Sequence, residues 1–237
     1  MIYGVVLAGG TGKRMRSRNL PKQFIKLNGT PTIILTINKM LEVERFDKLF
    51  IAVHSSWVSY LEDMIDAYIP CRDRITVIEG GNERLDSISN SVYAAVESHP
   101  LSDDDIIVLH DAVRPFITKE VLEASIDGAK EYSAVVAAVP ATDTMLWIND
   151  GEVVESMPDR SKLFHGQAPD SFKLHVLKES LESLTDEECA IITGTAQICM
   201  LKGIPVHIIP GDRNNIKLTT PEDLIVARGL LLEEAYL

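Results

Sequence analysis

Residues 2–15 read IYGVVLAGGTGKRM, a short apolar run followed by closely spaced glycines and then by basic side chains. The run at 2–8 predicts a strand buried on both faces, as in a parallel sheet. Gly9 and Gly10 allow backbone N–H groups to approach an anion closely, which a Cβ atom would prevent. Because ligands bind at the carboxyl ends of strands in open α/β sheets, this turn is predicted to bind phosphate.

The alternation of apolar strands and longer helices continues along the chain. The further candidate strands are 48–54, 74–78, 105–109 and 133–139, and the candidate helices are 31–43, 56–67, 84–97, 118–130, 173–184 and 221–234. Such alternation predicts an α/β fold with a doubly wound, mostly parallel, Rossmann-like sheet. With no linker and no internal repeat, residues 1–237 are predicted to form a single domain.

One stretch, at about 140–165, interrupts the alternation. It contains two apolar segments, TMLWI and EVVES, on either side of Asn149-Asp150-Gly151. An Asp-Gly turn between apolar segments predicts a β-hairpin, which is either a surface excursion or an arm that packs on a second subunit. The isolated hairpin needs a packing partner, and two-fold dimers are the commonest oligomers. We therefore expect a homodimer formed through this arm.

Composition excludes several classes of protein. The formal net charge is -12, and no basic stripe is present, so a general nucleic-acid binder is excluded. The three cysteines are widely spaced, which disfavours zinc and disulfide frameworks and predicts reduced thiols. No apolar run approaches ~20 residues and no leader-like segment opens the chain, so neither a membrane span nor export is expected and the cytoplasm is the expected compartment.

The glycine turn matches neither of two familiar phosphate loops. Leu7 and Arg14 stand where a Walker A loop requires glycine and Ser or Thr, and Met15 stands where a dinucleotide fingerprint requires its third glycine. The turn is instead followed by cations, among them Arg14 and Lys22. Catalysis of phosphoryl and nucleotidyl transfer consists mostly of positioning and cationic stabilisation, so these side chains indicate a nucleotidyltransferase.

Several ordered motifs carry a family resemblance across nearly the whole chain. They are LAGGTGKRM (7–15), NLPKQF (19–24), GGNERLDS (80–87), HDAVRPF (110–116), Asp143-Thr144, Asp159-Arg160, HGQAP (165–169) and NIKLT (215–219). Together they resemble the sugar-alcohol-phosphate cytidylyltransferases. The resemblance implies transfer of CMP from CTP to a small polyol phosphate, with release of pyrophosphate and with Mg²⁺ as cofactor.

Two branches of this family fit the sequence. Leu20, Phe24, Trp57-Val58-Ser59 and Phe116 resemble the branch that acts on D-ribitol 5-phosphate in teichoic-acid or capsule synthesis, and we expect that acceptor. The alternative is 2-C-methyl-D-erythritol 4-phosphate, an acceptor of isoprenoid synthesis. A non-catalytic nucleotide-binding module is the alternative from another class, and a pyrophosphate-release assay separates it from an enzyme.

The resemblance also implies the residues of the site. The catalytic residues would be Arg14, Lys22, Arg160 and Lys217. The nucleotide-binding residues would be Leu7, Ala8, Gly9, Gly10, Gly81, Asn82, Glu83, Arg84, Leu85, Asp86, Ser87 and Ala112. The acceptor-binding residues would be Arg114, Asp143, Thr144, Arg160 and Lys217. Asp111 would contact the metal.

Three positions depart from the family pattern. Ala168 and Gly194 stand where Thr and Asp are usual, and Asn82 stands where the methylerythritol branch usually has Asp. The resemblance implies that residues 81–87, the base-reading segment, recognise the cytosine of CTP. Asn retains an oxygen acceptor, so this segment can keep its function. The two other departures bear on the identity of the acceptor more than on the reaction with CTP.

Overall fold

A seven-stranded sheet organises the protein, and the computed structural model describes residues 1–10, 20–149 and 151–234. The strands are β1 (Ile2–Ala8), β2 (Lys26–Leu27), β3 (Thr30–Pro31), β4 (Lys48–Val53), β5 (Ile75–Glu79), β6 (Ile106–Asp111), β7 (Ala134–Pro140), β8 (Trp147–Ile148), β9 (Val154–Ser156), β10 (Phe164–Lys173) and β11 (His207–Pro210). The helices are α1 (Thr32–Leu41), α2 (Val58–Tyr68), α3 (Arg84–Ser98), α4 (Lys119–Tyr132), α5 (Leu174–Glu182), α6 (Asp186–Ile191), α7 (Thr195–Leu201) and α8 (Pro221–Glu234).

The large sheet has the strand order β11-β7-β10-β6-β1-β4-β5. All neighbouring strands are parallel except β10, which runs antiparallel to both β6 and β7. The prediction of a doubly wound, mostly parallel α/β sheet is therefore confirmed. Within the described residues, short 3₁₀ segments lie in the connections at Lys22–Phe24, Ser55–Trp57 and Arg160–Lys162.

Alternate side chains of β1 enter two different cores, which explains its continuous apolar sequence. Tyr3, Val5 and Leu7 pack with α3, α5 and α7, whereas Val6 and Ala8 pack on the opposite face with α1, α2 and α4. Burial of both faces is what a central parallel strand requires. Because β1 lies between β6 and β4, the turns that follow these strands meet at one edge of the sheet.

Two strands of the large sheet, β10 and β11, were not predicted. The sequence of β10, FHGQAPDSFK, is polar and contains Gly and Pro, which argue against a central strand. The structure accommodates Pro169 at a break in the pairing with β7, where the register shifts between Gly166 and Asp170. Such an irregularity removes the ladder bond that proline cannot donate.

The predicted hairpin is present but short. β8 and β9 pair antiparallel to each other and form a sheet of their own. Asp150, the second residue of the predicted turn, lies outside the described residues. We use the name arm for residues 141–163, between the end of β7 and the start of β10. Across the described ranges, no helix is long and apolar enough to cross a membrane.

Candidate active site

The turns that follow β1 and β5 meet at the side chain of Ser87, near the start of α3. A Cβ atom on Gly9 would lie 2.7 Å from Ser87 Oγ, and one on Gly80 would lie 2.9 Å from the same atom. Ser87 Oγ also accepts a hydrogen bond from the N–H of Gly81 at 3.1 Å. These approaches require glycine, so the turn of β1 and the predicted base-reading segment form one continuous surface.

The predicted nucleotide-binding segment 81–87 combines a loop with the first turn of α3. Glu83 and Asp86 form a reciprocal capping box, in which the Glu83 N–H donates to Asp86 Oδ2 at 3.0 Å. Leu85 packs against the core shared with α3 and α5. Glu83, Leu85 and Asp86 therefore have structural roles, whereas Asn82 is exposed in the loop.

Leu7, Ala8 and Ala112 are buried, and their main chains are already engaged. The Ala112 N–H donates to the Leu7 carbonyl at 3.1 Å, and the Ala112 carbonyl accepts from Thr36 Oγ1 at 3.0 Å. These bonds fix the turn after β6 beside the end of β1. The predicted contacts of the three residues with nucleotide stay predictions.

Lys22 lies close to the glycine turn. Its Cε atom is 4.0 Å from the position that a Cβ atom on Gly10 would occupy. Lys22 begins the 3₁₀ turn that ends at Phe24, and the ring of Phe24 packs against Trp57 at a centroid distance of 5.3 Å. The other predicted catalytic cation of this region, Arg14, lies outside the described residues.

Asp111, the last residue of β6, is surrounded by three cations from separate parts of the chain. Arg84 Nη1 lies 2.7 Å from Asp111 Oδ1, while Lys217 Nζ and Arg114 Nε lie 2.9 Å and 3.3 Å from Asp111 Oδ2. We call these four residues the Asp111 cluster. It joins residues predicted separately to bind the metal, the nucleotide and the acceptor.

The electrostatics of the cluster favour an ionised carboxylate. Burial alone would raise the pKa of Asp111, but the charges of Arg84 and Lys217 and their hydrogen bonds outweigh it and hold the pKa well below its usual range. A carboxylate that contacts three cations leaves a net positive charge. The cluster is therefore suited to bind phosphate, because some N–H groups of its cations can donate hydrogen bonds to phosphate oxygens.

Two loops hold the cations of the cluster in place. The Leu218 N–H donates to the Val113 carbonyl at 2.9 Å, which joins the Lys217 segment to the turn after β6. Arg114 Nη1 donates to the Asn215 carbonyl at 2.7 Å, and Asn215 Nδ2 donates to the Ala168 carbonyl at 2.7 Å. Position 168, one of the departures from the family pattern, thus supports the loop that carries Lys217.

Two buried titratable side chains lie next to the cluster. Burial lowers the pKa of His110 to about 4, so the ring is neutral at physiological pH and its Nε2 N–H donates to the Arg114 carbonyl at 3.0 Å. Burial raises the pKa of Asp170 to about 6, although Arg84 and Arg114 partly oppose that effect. Asp170 was not identified from the sequence, because a single Asp in a polar stretch carries no distinguishing signal.

The remaining predicted acceptor residues lie on the arm. Arg160 donates through Nη1 to the Thr142 carbonyl at 2.7 Å, and Asp143 and Thr144 are exposed. Arg114 and Lys217, the other predicted acceptor residues, belong to the Asp111 cluster.

The described side chains do not form a magnesium site on their own. Both oxygens of Asp111 already accept from cations, and among the described residues no group of three or more His, Cys, Asp or Glu is arranged to hold a metal. Mg²⁺ usually binds through one or two carboxylates together with phosphate oxygens. The predicted contact of Asp111 with Mg²⁺ stays a prediction.

Comparisons with known proteins agree with this geometry. Residues 2–233 match the family IspD, described as 2-C-methyl-D-erythritol 4-phosphate cytidylyltransferase. The fold is similar to that of 4-diphosphocytidyl-2C-methyl-D-erythritol synthase from Anaerococcus prevotii DSM 20548, with a TM-score of 0.81 and 24% identity over 98% of this chain and 96% of that one.

Two further solved structures are similar over almost their whole length. The 2-C-methyl-D-erythritol 4-phosphate cytidylyltransferase from Francisella tularensis is 25% identical, with a TM-score of 0.79 over 96% of this chain and 98% of that one. The enzyme of the same name from Thermus thermophilus is 22% identical, with a TM-score of 0.73 over 97% and 98%. The predicted resemblance to the cytidylyltransferases is confirmed, and the chain belongs to the IspD family of CTP-dependent cytidylyltransferases.

Proposed function

We propose that this cytidylyltransferase transfers CMP from CTP to 2-C-methyl-D-erythritol 4-phosphate and releases pyrophosphate. The match of residues 2–233 to the family that carries this activity in its description supports the acceptor. The sequence analysis expected ribitol 5-phosphate and gave the methylerythritol phosphate as the alternative, and the family match favours that alternative. The Asp111 cluster supports the reaction type, because it places three cations within reach of one phosphate-sized anion.

The residues that resembled the ribitol branch carry little information about the acceptor. Phe24 and Phe116 are buried in hydrophobic cores, and Leu20 and Trp57 pack against one of them. Side chains in such positions respond to packing with their neighbours, which a change of acceptor does not alter. Except for Ser59, which is exposed, the expectation of ribitol 5-phosphate therefore rests on residues with a structural role.

In the proposed reaction, a phosphate oxygen of the acceptor attacks the α-phosphorus of CTP. The new P–O bond forms a phosphoanhydride, and the bond from the α-phosphorus to the oxygen bridging to the β-phosphorus breaks, so that pyrophosphate leaves with that oxygen. No side chain needs to act as a nucleophile. Lys22 and Arg14 would stabilise the charge of the triphosphate, while Lys217 and Arg160 would hold the acceptor phosphate.

The role of magnesium follows from the same charges. Mg²⁺ bound to the triphosphate would neutralise part of the charge on departing pyrophosphate. Asp111 is the carboxylate closest to the proposed phosphate site, and it would contribute one ligand at most, since Arg84 and Lys217 share its oxygens.

The direct test is pyrophosphate release with purified protein. CTP, UTP, ATP and GTP are each supplied with 2-C-methyl-D-erythritol 4-phosphate or D-ribitol 5-phosphate. The proposal expects release with CTP and the methylerythritol phosphate, at a kcat/KM at least tenfold above that of any other pair. A preference for ribitol 5-phosphate would overturn the proposed acceptor. No release with any pair would indicate a nucleotide-binding module without activity.

We further propose that two chains share their acceptor sites through the arm. Trp147 and Val153 on the arm are 60% and 77% exposed, and Leu146, Ile148 and Met157 are also exposed. An apolar two-stranded hairpin without a packing partner is marginal in water, and exposed apolar surface of this kind marks an interface. A second copy is the simplest partner, because two-fold symmetry would place the arm of each chain, with its Arg160, against the other chain.

Light scattering and activity together test the arm. The wild type is expected to be a dimer at micromolar concentration, and the double variant Trp147→Asp, Val154→Asp is expected to be an inactive monomer. A matched control is Ile225→Asp, which adds a charge at an exposed position of α8, away from the arm. An active wild-type monomer would contradict the shared site, and a double variant that remains dimeric would place the interface elsewhere.

A further inference from the structure

The segment that carries Lys22 is fixed to the end of β1 by a buried side-chain amide. Gln23 Nε2 donates to the Ala8 carbonyl at 2.7 Å, and Gln23 is only 2% exposed. Ala8 is the last residue of β1 and directly precedes Gly9 and Gly10. This hydrogen bond therefore joins the two parts of the chain between which a triphosphate is proposed to bind.

Further contacts of the segment are made with α1 and with the start of α2. Phe24 packs between Trp57 and Tyr60, at ring-centroid distances of 5.3 Å and 5.1 Å. The Thr32 N–H and hydroxyl both donate to the Ile25 carbonyl, at 2.9 Å and 2.8 Å. These contacts hold the segment to α1 and α2, whereas the amide of Gln23 ties it to β1.

The direction of Lys22 follows from its neighbour. Gln23 and Lys22 share one turn of 3₁₀ helix, with the Ile25 N–H donating to the Lys22 carbonyl at 3.2 Å. A side chain fixed at Gln23 also fixes the main chain of this turn, and with it the position from which the Lys22 side chain extends. Lys22 runs past Gly10, with its Cε atom 4.0 Å from where a Cβ atom on that glycine would lie.

We propose that Gln23 is a positioning residue for the nucleotidyl transfer, which holds Lys22 against the Gly9–Gly10 turn through its bond to the Ala8 carbonyl. This inference rests on the proposed function, because it gives Lys22 the triphosphate of CTP as its ligand. Gln23 does not contact substrate in this scheme. Its amide preorganises the cation, and misplacement of such a group by about 1 Å is enough to lower turnover on the order of 10²-fold.

The test is a double-mutant cycle between the two neighbours. Gln23→Met keeps the length of the side chain and removes its donor, and Lys22→Ala removes the cation. If Gln23 acts through Lys22, Gln23→Met lowers kcat at least tenfold in the wild-type background and less than twofold in the Lys22→Ala background. The acceptor KM stays within twofold of the wild type, because the Asp111 cluster is untouched.

Controls separate positioning from loss of structure. Gln197→Met removes an amide that donates to the Ile191 carbonyl at 3.2 Å at an exposed site in α7, and it is expected to leave kcat within twofold. Gln23→Glu, equal in size, provides a second variant without the amide donor, in case Gln23→Met does not fold. Thermal unfolding of each variant identifies the folded ones.

The same double-mutant cycle is measured in the affinity for CTP by calorimetry. We expect Gln23→Met to weaken CTP binding in the wild-type background and to have little effect in the Lys22→Ala background. This measurement does not depend on the identity of the acceptor. Equal losses from Gln23→Met in both backgrounds, or a loss below twofold in the wild-type background, would overturn the role of Gln23. A wild type that binds CTP yet releases no pyrophosphate with any acceptor would refute the proposed function, while the cycle in CTP affinity still decides the role of Gln23.

Discussion

Replacement of Asp111 by Asn is the change with the largest expected effect on the candidate site. The substitution keeps the shape of the side chain and removes the anion shared by three cations. The side chain of Asp111 is 7% exposed, so water does not replace the lost charge. The expected result is a protein with lower stability at neutral pH and with misplaced phosphate-binding cations.

The magnitude follows from the distances. Lys217 Nζ and Arg114 Nε contact the same oxygen at 2.9 Å and 3.3 Å, so the two cations lie within about 6 Å of each other. Without the carboxylate, their repulsion at an effective dielectric constant of ~20 amounts to about 3 kcal/mol. Removal of one partner from a buried ion pair costs about 3–5 kcal/mol in general. We expect Asp111→Asn to lower the free energy of unfolding by that amount.

Urea unfolding at several pH values measures this effect. Because the folded-state pKa of Asp111 lies below its usual range, its contribution to stability is present above the unfolded-state pKa of ~4 and is lost as pH falls towards the folded-state pKa. The difference between wild type and variant should therefore be constant from pH 5 to pH 8 and shrink at lower pH.

A matched control uses the same substitution at an exposed ion pair. Asp127 accepts from Arg45 Nη2 at 2.6 Å, but its side chain is 66% exposed. Asp127→Asn is expected to cost under about 1 kcal/mol, because water and salt screen exposed pairs. A loss below 1 kcal/mol for Asp111→Asn at pH 7.5, or equal losses for the two variants, would refute the reasoning.

Three other expectations concern single side chains. Arg14→Ala or Lys22→Ala should lower kcat about 10²-fold or more with little loss of thermal stability; near-normal turnover in both would exclude them as transition-state donors. Lys217→Ala and Arg160→Ala should raise the acceptor KM and leave CTP affinity by calorimetry little changed, and the reverse pattern would contradict the assignment. The raised pKa of Asp170, about 6, means that its contribution to stability is greatest below pH 4 and falls as pH rises through 6. The unfolding free energy of Asp170→Asn minus that of the wild type should therefore rise by up to about 3 kcal/mol from pH 4 to pH 8, as measured by urea unfolding. A difference that does not change with pH would contradict this expectation.

Symmetrical burial explains why two central strands, β1 and β6, were predicted correctly from the sequence. β1 and β6 are apolar along their length because both of their faces are covered, and this pattern is visible in a window of a few residues. β10 escaped prediction because its pairing depends on partners distant in sequence and because Gly166 and Pro169 are tolerated only at an irregular register. Local propensity describes neither condition.

In the candidate site, too, the features that depend on neighbouring residues were predicted, and those that depend on residues distant in sequence were not. Lys22 and the glycine turn were predicted from residues adjacent in sequence, and Lys22 lies beside Gly10 in the structure. The pairing of Arg84 with Asp111 was not predicted, because α3 and the end of β6 meet only after the sheet forms. The resemblance assigned Arg84 to the base-reading segment, and no feature of the sequence indicated that its guanidinium faces a carboxylate.

The placement of one anion among three cations has a consequence for catalysis. Cations that converge on a phosphate site repel one another before substrate binds. The carboxylate of Asp111 keeps Arg84, Arg114 and Lys217 together in the absence of substrate. Because Lys217 and Arg84 remain partly exposed, they can turn from the carboxylate towards an arriving phosphate. Asp111 thus preorganises the donors, which lowers the reorganisation that binding requires.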